Sequence, residues 1–121
     1  MIGRLYEVVV DCPYPKALAS FYAALLGWEV RYEDDDWVTL GQGDGTRIAF
    51  QRVADHQPPQ WPDPAFPQQL HLDIFVVDLS DADRQILALG ARRLRDGDTS
   101  RVYADPAGHP FCVSLEDPSA P

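Results

Sequence analysis

Residues 5–28 read LYEVVVDCPYPKALASFYAALLGW, and this stretch decides the fold. Leu5 to Cys12 is β-branched and mostly apolar, the composition of a strand. Cys12-Pro13-Tyr14-Pro15 reads as a turn, with Pro15 at the first position of a helix, where its missing N–H costs nothing. Leu18, Phe21, Tyr22, Leu25 and Leu26 then recur at helical spacing and form one apolar face. Gly27 ends the helix as a residue able to take positive φ. Three short strands are expected next, from Trp28 to Tyr32, Trp37 to Leu40 and Arg47 to Val53. The turns between them carry Asp34-Asp35-Asp36 and Gly41-Gln42-Gly43-Asp44-Gly45.

From about Ala54 to Gln68 the chain carries prolines at 58, 59, 62, 64 and 67, which cannot donate to a sheet ladder, so this segment reads as a loop. The earlier order then returns. Leu70 to Val77 reads as a strand, and Ser80 opens a helix as its cap, with Asp83 in the place of the capping-box acid. Ala82, Ile86 and Leu89 form the apolar face and Gly90 closes the helix. Strands are expected from Ala91 to Leu94, Arg101 to Ala104 and Phe111 to Leu115, with a turn at Asp105-Pro106-Ala107-Gly108. Gly27 and Gly90 lie 63 residues apart, and the helix-leading Tyr14 and Asp78 lie 64 apart. A matching order at a near-constant offset points to an internal duplication.

The totals narrow the function classes. With 121 residues, 45% hydrophobic and 24% charged, the chain suits one soluble globular domain. Its formal charge of −9, from 19 acidic against 10 basic residues, leaves no basic footprint for nucleic acid or an anionic membrane. No leader and no membrane segment is read, and Cys12 and Cys112 match neither a disulfide framework nor a zinc motif. Free thiols in the cytoplasm are the expectation.

Asp11-Cys12-Pro13, the run from Leu18 to Trp28, His71-Leu72-Asp73 and the run from Asp105 to Phe111 together resemble the vicinal oxygen chelate superfamily. It includes glyoxalase I, the bleomycin-resistance proteins and extradiol dioxygenases, and the likeness is to its short, glyoxalase-like bacterial subgroup. The resemblance implies an α+β fold of two tandem β-α-β-β-β modules that form a curved mixed sheet around a cavity. Residues 1–121 would make one glyoxalase-like domain, with modules over about 4–53 and 69–116 and the linker over about 54–68. It also implies a homodimer.

Strand alternation assigns faces within that fold. Tyr6, Val8, Val10, Ile48, Phe50, Leu72, Ile74, Val76, Phe111, Val113 and Leu115 would back onto the helices. Glu7, Gln51, His71, Asp73, Cys112 and Ser114 would face inward, a set too polar for a structural core because unpaired buried polar groups cost a few kcal/mol each. Trp37 and Phe75 join them as apolar wall, and Trp61 and Phe66 on the long loop are placed to close over the pocket mouth.

Metal-dependent members of the superfamily hold their ion at four inward positions. The resemblance maps these onto Glu7, Ala49, His71 and Cys112. Ala49 offers no donor, Cys112 stands where a Glu would be expected, and a hard, near-octahedral site wants oxygen and imidazole donors. No cofactor is therefore expected, and a divalent metal, if bound, would fall to Glu7 and His71. Without metal, Glu7, His71 or Asp73 offers a general base. His56 lies in the proline-rich loop and His109 in a turn, so no iron-binding facial triad assembles. The expectation is a small-molecule binder of the glyoxalase/bleomycin resistance type, sequestering a drug or metabolite. The alternative is a metal-dependent glyoxalase-like lyase or isomerase.

Overall fold

The computed structural model describes residues 1–119 and divides into two compact units, Met1–His56 and the chain from Gln57 onward. The first unit contains β1 (Glu7–Cys12), α1 (Pro15–Leu26), β2 (Glu29–Glu33), β3 (Trp37–Gly41) and β4 (Arg47–Arg52). Its four strands form one sheet in the order β1-β4-β3-β2. β1 runs parallel to β4, and the remaining neighbours are antiparallel. The helix carries the chain from one edge of the sheet to the other, and two hairpin turns then bring it back beside its starting strand.

The second unit repeats this plan with β5 (Leu72–Phe75), α2 (Leu79–Ala88), β6 (Arg92–Arg95), β7 (Ser100–Ala104) and β8 (Pro110–Ser114), in the order β5-β8-β7-β6. Again the first strand pairs in parallel with the last. The α+β fold of two β-α-β-β-β modules is thus present, built as two four-stranded mixed sheets. The helix N-caps are Tyr14 and Asp78, so the 64-residue offset seen in the sequence is the repeat of a backbone feature.

In the first unit the core lies between α1 and its sheet. Leu18, Ala19, Phe21 and Tyr22 are buried on the helix, and Val38, Leu40, Ile48 and Phe50 on the strands. Tyr22 stacks on Phe50 with ring centroids 5.5 Å apart. Gly27 caps α1 at φ 69, the left-handed conformation that frees its N–H to close on the Ala23 carbonyl. In the second unit Ile86, Tyr103, Phe111 and Val113 are buried, and Tyr103 stacks on Phe111 at 5.5 Å. The interface between helix and sheet here is partly polar. Asp83 on α2 accepts hydrogen bonds from the Tyr103 hydroxyl (2.6 Å) and from Arg93 (3.0 Å).

Several boundaries differ from the sequence reading. The cap of α2 is Asp78, whose Oδ1 accepts the Asp81 N–H at 2.9 Å, and neither Ser80 nor Asp83 serves that role. Asp83 lies three residues before Ile86 and faces the sheet instead. Gly90, at φ 109, follows the C-cap residue Leu89 and does not itself cap the helix. The strand expected from Leu70 to Val77 is confined to Leu72–Phe75, because its partner β8 is only five residues long; Leu70 and Val77 are exposed beyond it. Leu115, expected against the helix, lies past the end of β8 and is exposed for the same reason.

The proline-rich segment has no regular secondary structure. It is pinned where Pro58 meets the turn before β8. In that turn buried Asp105 accepts the N–H groups of Ala107 (2.9 Å) and His109 (3.0 Å). Gly108 sits there at φ 93, and a Cβ on it would stand 2.8 Å from the Pro58 Cβ. Gly108→Ala therefore faces both backbone strain and a clash, and is expected to lower stability by about 1–3 kcal/mol in urea denaturation.

Candidate functional site

In each unit the helix covers one face of the sheet, and the expected site residues lie on the other. On the second sheet, Asp73 of β5 pairs in register with Cys112 of β8, and Cys112 with Val102 of β7. The next row along is Phe75, Ser114 and Ser100. Paired residues share a face, so Asp73, Cys112, Phe75 and Ser114 stand together, opposite Phe111 and Val113. His71 immediately precedes β5, and its Nε2 lies 3.3 Å from Asp73 Oδ1. Donor atoms of His71, Asp73 and Cys112 all fall within 4.8 Å of one another.

These residues line a cavity of about 630 Å³. Ser100, Glu116 and Asp117 also line it, and they were missed in the sequence. Ser100 had a readable signal, since a hairpin register that sets β7 against β8 places it beside Ser114. Glu116 and Asp117 follow the last strand, where alternation no longer applies. No Lys or Arg lines this cavity among the described residues, so its field is negative. Burial pushes the Cys112 thiol pKa up, and the charge and hydrogen bond of Asp73 add to the effect. The thiol is accordingly protonated at neutral pH, which removes it as a ready nucleophile.

On the first sheet the open face carries Glu7, Val9, Ala49, Gln51 and Trp37, with Val9 in register with Ala49 and Trp37 with Gln51. Glu7 is half-buried, and its Oε2 is buried without a hydrogen-bond partner among the described residues. Trp37 donates its indole N–H to Thr39 at 2.9 Å, and Gln51 is exposed. Val9–Ala49 in this unit corresponds to Asp73–Cys112 in the other, so Ala49 holds the place equivalent to Cys112. It is completely buried.

The loop aromatics divide. Trp61 is covered by the Arg95 guanidinium at 4.6 Å, a contact that anchors the segment to β6. Phe66 is half exposed, with its backbone in a tight turn closed by Gln60 and Asp63. A further cavity of about 680 Å³ lies between this segment and the Asp105–Gly108 turn, with Trp61 and Arg92 in its wall. The backbone N–H of His109 is bound by Asp105, the turn role expected of that position.

A four-ligand metal centre of the kind found in metal-dependent relatives does not fit this donor set. Ala49 has nothing to give and is sealed in, and Cys112 replaces a hard oxygen by a thiol.

A family model described as a glyoxalase-like domain matches residues 7–114, the whole span from β1 to β8. The chain belongs to the glyoxalase-like domain family. It is thereby a member of the vicinal oxygen chelate superfamily, and solved structures agree in fold. A glyoxalase/bleomycin resistance protein/dioxygenase family enzyme from Burkholderia phytofirmans PsJN superposes with a TM-score of 0.72 at 14% identity, covering 92% of this chain and 97% of that one. A glyoxalase-related enzyme from Fulvimarina pelagi gives 0.69 at 17%, covering 93% and 88%. The bleomycin-binding protein from Streptomyces verticillus, solved with copper(II)-bleomycin, gives 0.60 at 18%, covering 97% and 100%. At these identities the likeness is one of fold. No curated protein matches the chain significantly. Among the described residues no helix is long and apolar enough to cross a membrane.

Proposed function

We propose that this glyoxalase-like protein binds a small organic molecule and sequesters it as a drug or metabolite, acting in the cytoplasm as a homodimer. The observation that carries this reading is Ala49. A buried methyl group at the place equivalent to Cys112 removes a ligand from the metal set on which the lyases of this superfamily depend. What remains is a polar, negatively charged wall of His71, Asp73, Cys112 and Ser114 beside the apolar ring of Phe75. Apolar surface with a few placed polar groups is the usual make-up of a small-molecule site. The bleomycin-binding protein offers a precedent in this fold for holding a ligand.

The test is binding of metal-free bleomycin and a panel of organic amines by calorimetry, with a chelator present throughout. Binding by at least one probe is expected, and His71→Ala should weaken it by about 1–3 kcal/mol through loss of a hydrogen bond to a desolvated ligand group. Light scattering is expected to return twice the chain mass at micromolar protein. Chelator-sensitive turnover of a hemithioacetal by protein holding one equivalent of metal would overturn this reading in favour of a lyase or isomerase. The grouping of His71, Asp73 and Cys112 is the feature that supports that second reading.

A further inference from the structure

We propose that the cavity of about 680 Å³ in the second unit is a separate binding site for a small aromatic monocarboxylate, with Arg92 as its counter-ion and Trp61 as its aromatic wall. Alternation along β6 makes the charge available. Arg93 pairs in register with Tyr103, on the helix side, and its guanidinium is taken up by Asp83 at 3.0 Å. Arg92 pairs with Ala104 and so belongs to the open face. It lines the cavity, and its side chain has neither an acidic partner nor a hydrogen bond among the described residues. In a chain with 19 acidic against 10 basic residues, a guanidinium left unpaired at a cavity wall is a cation open to an anionic ligand.

The rest of the wall limits what that anion can be. Pro58, Pro59, Pro106 and Leu94 present stiff apolar surface, and Trp61 adds a ring. The Arg95 guanidinium lies 4.6 Å from the centre of that ring, so the indole is held before any ligand arrives and a second positive charge stands beside it. The one acidic residue in the wall, Asp105, is buried, and its Oδ1 already accepts the N–H groups of Ala107 and His109. No Lys, Ser or Thr lines the cavity among the described residues, so a phosphate, with more charge and more oxygens to satisfy, would go short of donors. A flat ring bearing one carboxylate matches the set. Its two oxygens meet the guanidinium fork, and its ring meets indole and proline. The volume lies within the roughly 300–1,000 Å³ usual for small-molecule sites.

This site shares no residue with the cavity of His71, Asp73 and Cys112, and it offers a cation where that wall offers acids. It goes beyond the small-molecule reading and does not depend on it.

The test is calorimetric titration of the full-length protein with 2-naphthoate, and with 2-naphthamide as its uncharged counterpart. One 2-naphthoate should bind per chain, and 2-naphthamide at least about 10-fold more weakly. Arg92→Gln, a change at an exposed side chain, should weaken 2-naphthoate binding by roughly 10-fold or more, and Arg92→Lys by less. Trp61→Leu should weaken it as well, whereas His71→Ala should leave it unchanged. Circular dichroism of each variant separates a lost site from a lost fold. Absence of binding overturns the proposal. So does equal affinity for the two ligands, an unchanged affinity in Arg92→Gln, or loss of binding in His71→Ala, which would put the ligand in the other cavity. Protein that binds bleomycin or an amine but not 2-naphthoate would remove this site and leave the small-molecule reading standing. Binding of 2-naphthoate alone would do the reverse.

Discussion

Phe50→Ala is expected to destabilise the protein by about 3–5 kcal/mol, measured as a shift in the urea midpoint without change in slope. Phe50 is fully buried on the helix side of β4, in register with Val10 and Val38 on either side. Its ring lies nearly parallel to that of Tyr22, and Tyr22 in turn meets Phe21 edge-on at 5.0 Å. Truncation leaves a cavity under the centre of α1 and strips Tyr22 of its stacking partner. Phe50→Leu keeps most of the volume and should cost less than about 1.5 kcal/mol. Equal losses in the two variants would mean that the stacked geometry, and not the filled volume, holds α1 to its sheet.

Asp83→Ala is expected to cost about 2–4 kcal/mol for a different reason. It leaves the completely buried Tyr103 without its acceptor and removes the carboxylate 3.0 Å from Arg93 and 3.6 Å from Arg101, although Arg101 keeps its ion pair with Asp96 at 2.7 Å. The hydrogen bond from Tyr103, helped by the charges of Arg93 and Arg101, holds the Asp83 carboxyl below the usual carboxylate range. Because the folded value is depressed, this stabilisation is complete above the unfolded carboxylate value of about 3.9 and is lost as the pH falls through the folded one. Burial and the same hydrogen bond push Tyr103 up to about 12. The neutral phenol is the form that fits, so its share of the stability is complete below about 10 and fades as the pH rises toward that folded value. Asp83→Asn keeps the shape and loses the charge, so it should flatten the acid side of the stability profile. An unchanged acid limb would remove Asp83 from the account.

Most of the architecture was legible before any coordinates, and the reason is local. Pro15 and Gly27 punctuate the chain by backbone rules that act over a few residues, and the apolar spacing of α1 admits one reading. Asp83 was misread because a helix cap is a local pattern, whereas its real partners Tyr103 and Arg93 are strand residues brought in by packing. Its spacing of three from Ile86 placed it on the buried face and was the available clue. Alternation put His71, Asp73 and Cys112 on the open faces. That Cys112 stands directly beside Asp73 depends on the register between two strands nearly forty residues apart, which no pattern within either strand specifies. The contact between Trp61 and Arg95 is of the same kind, a meeting of loop and strand that composition cannot predict.

One of the two edge strands of each sheet carries a further consequence. β2 ends the first sheet and displays Glu29, Arg31 and Glu33, while β6 ends the second and displays Arg92, Arg93 and Arg95. Another chain that tried to extend either sheet at these edges would have to bring its own strand against a row of charged side chains. A second copy offering the same strand would meet like charge for like. The borders at β2 and β6 are thus protected against runaway strand addition, the route by which open sheets grow into fibrils.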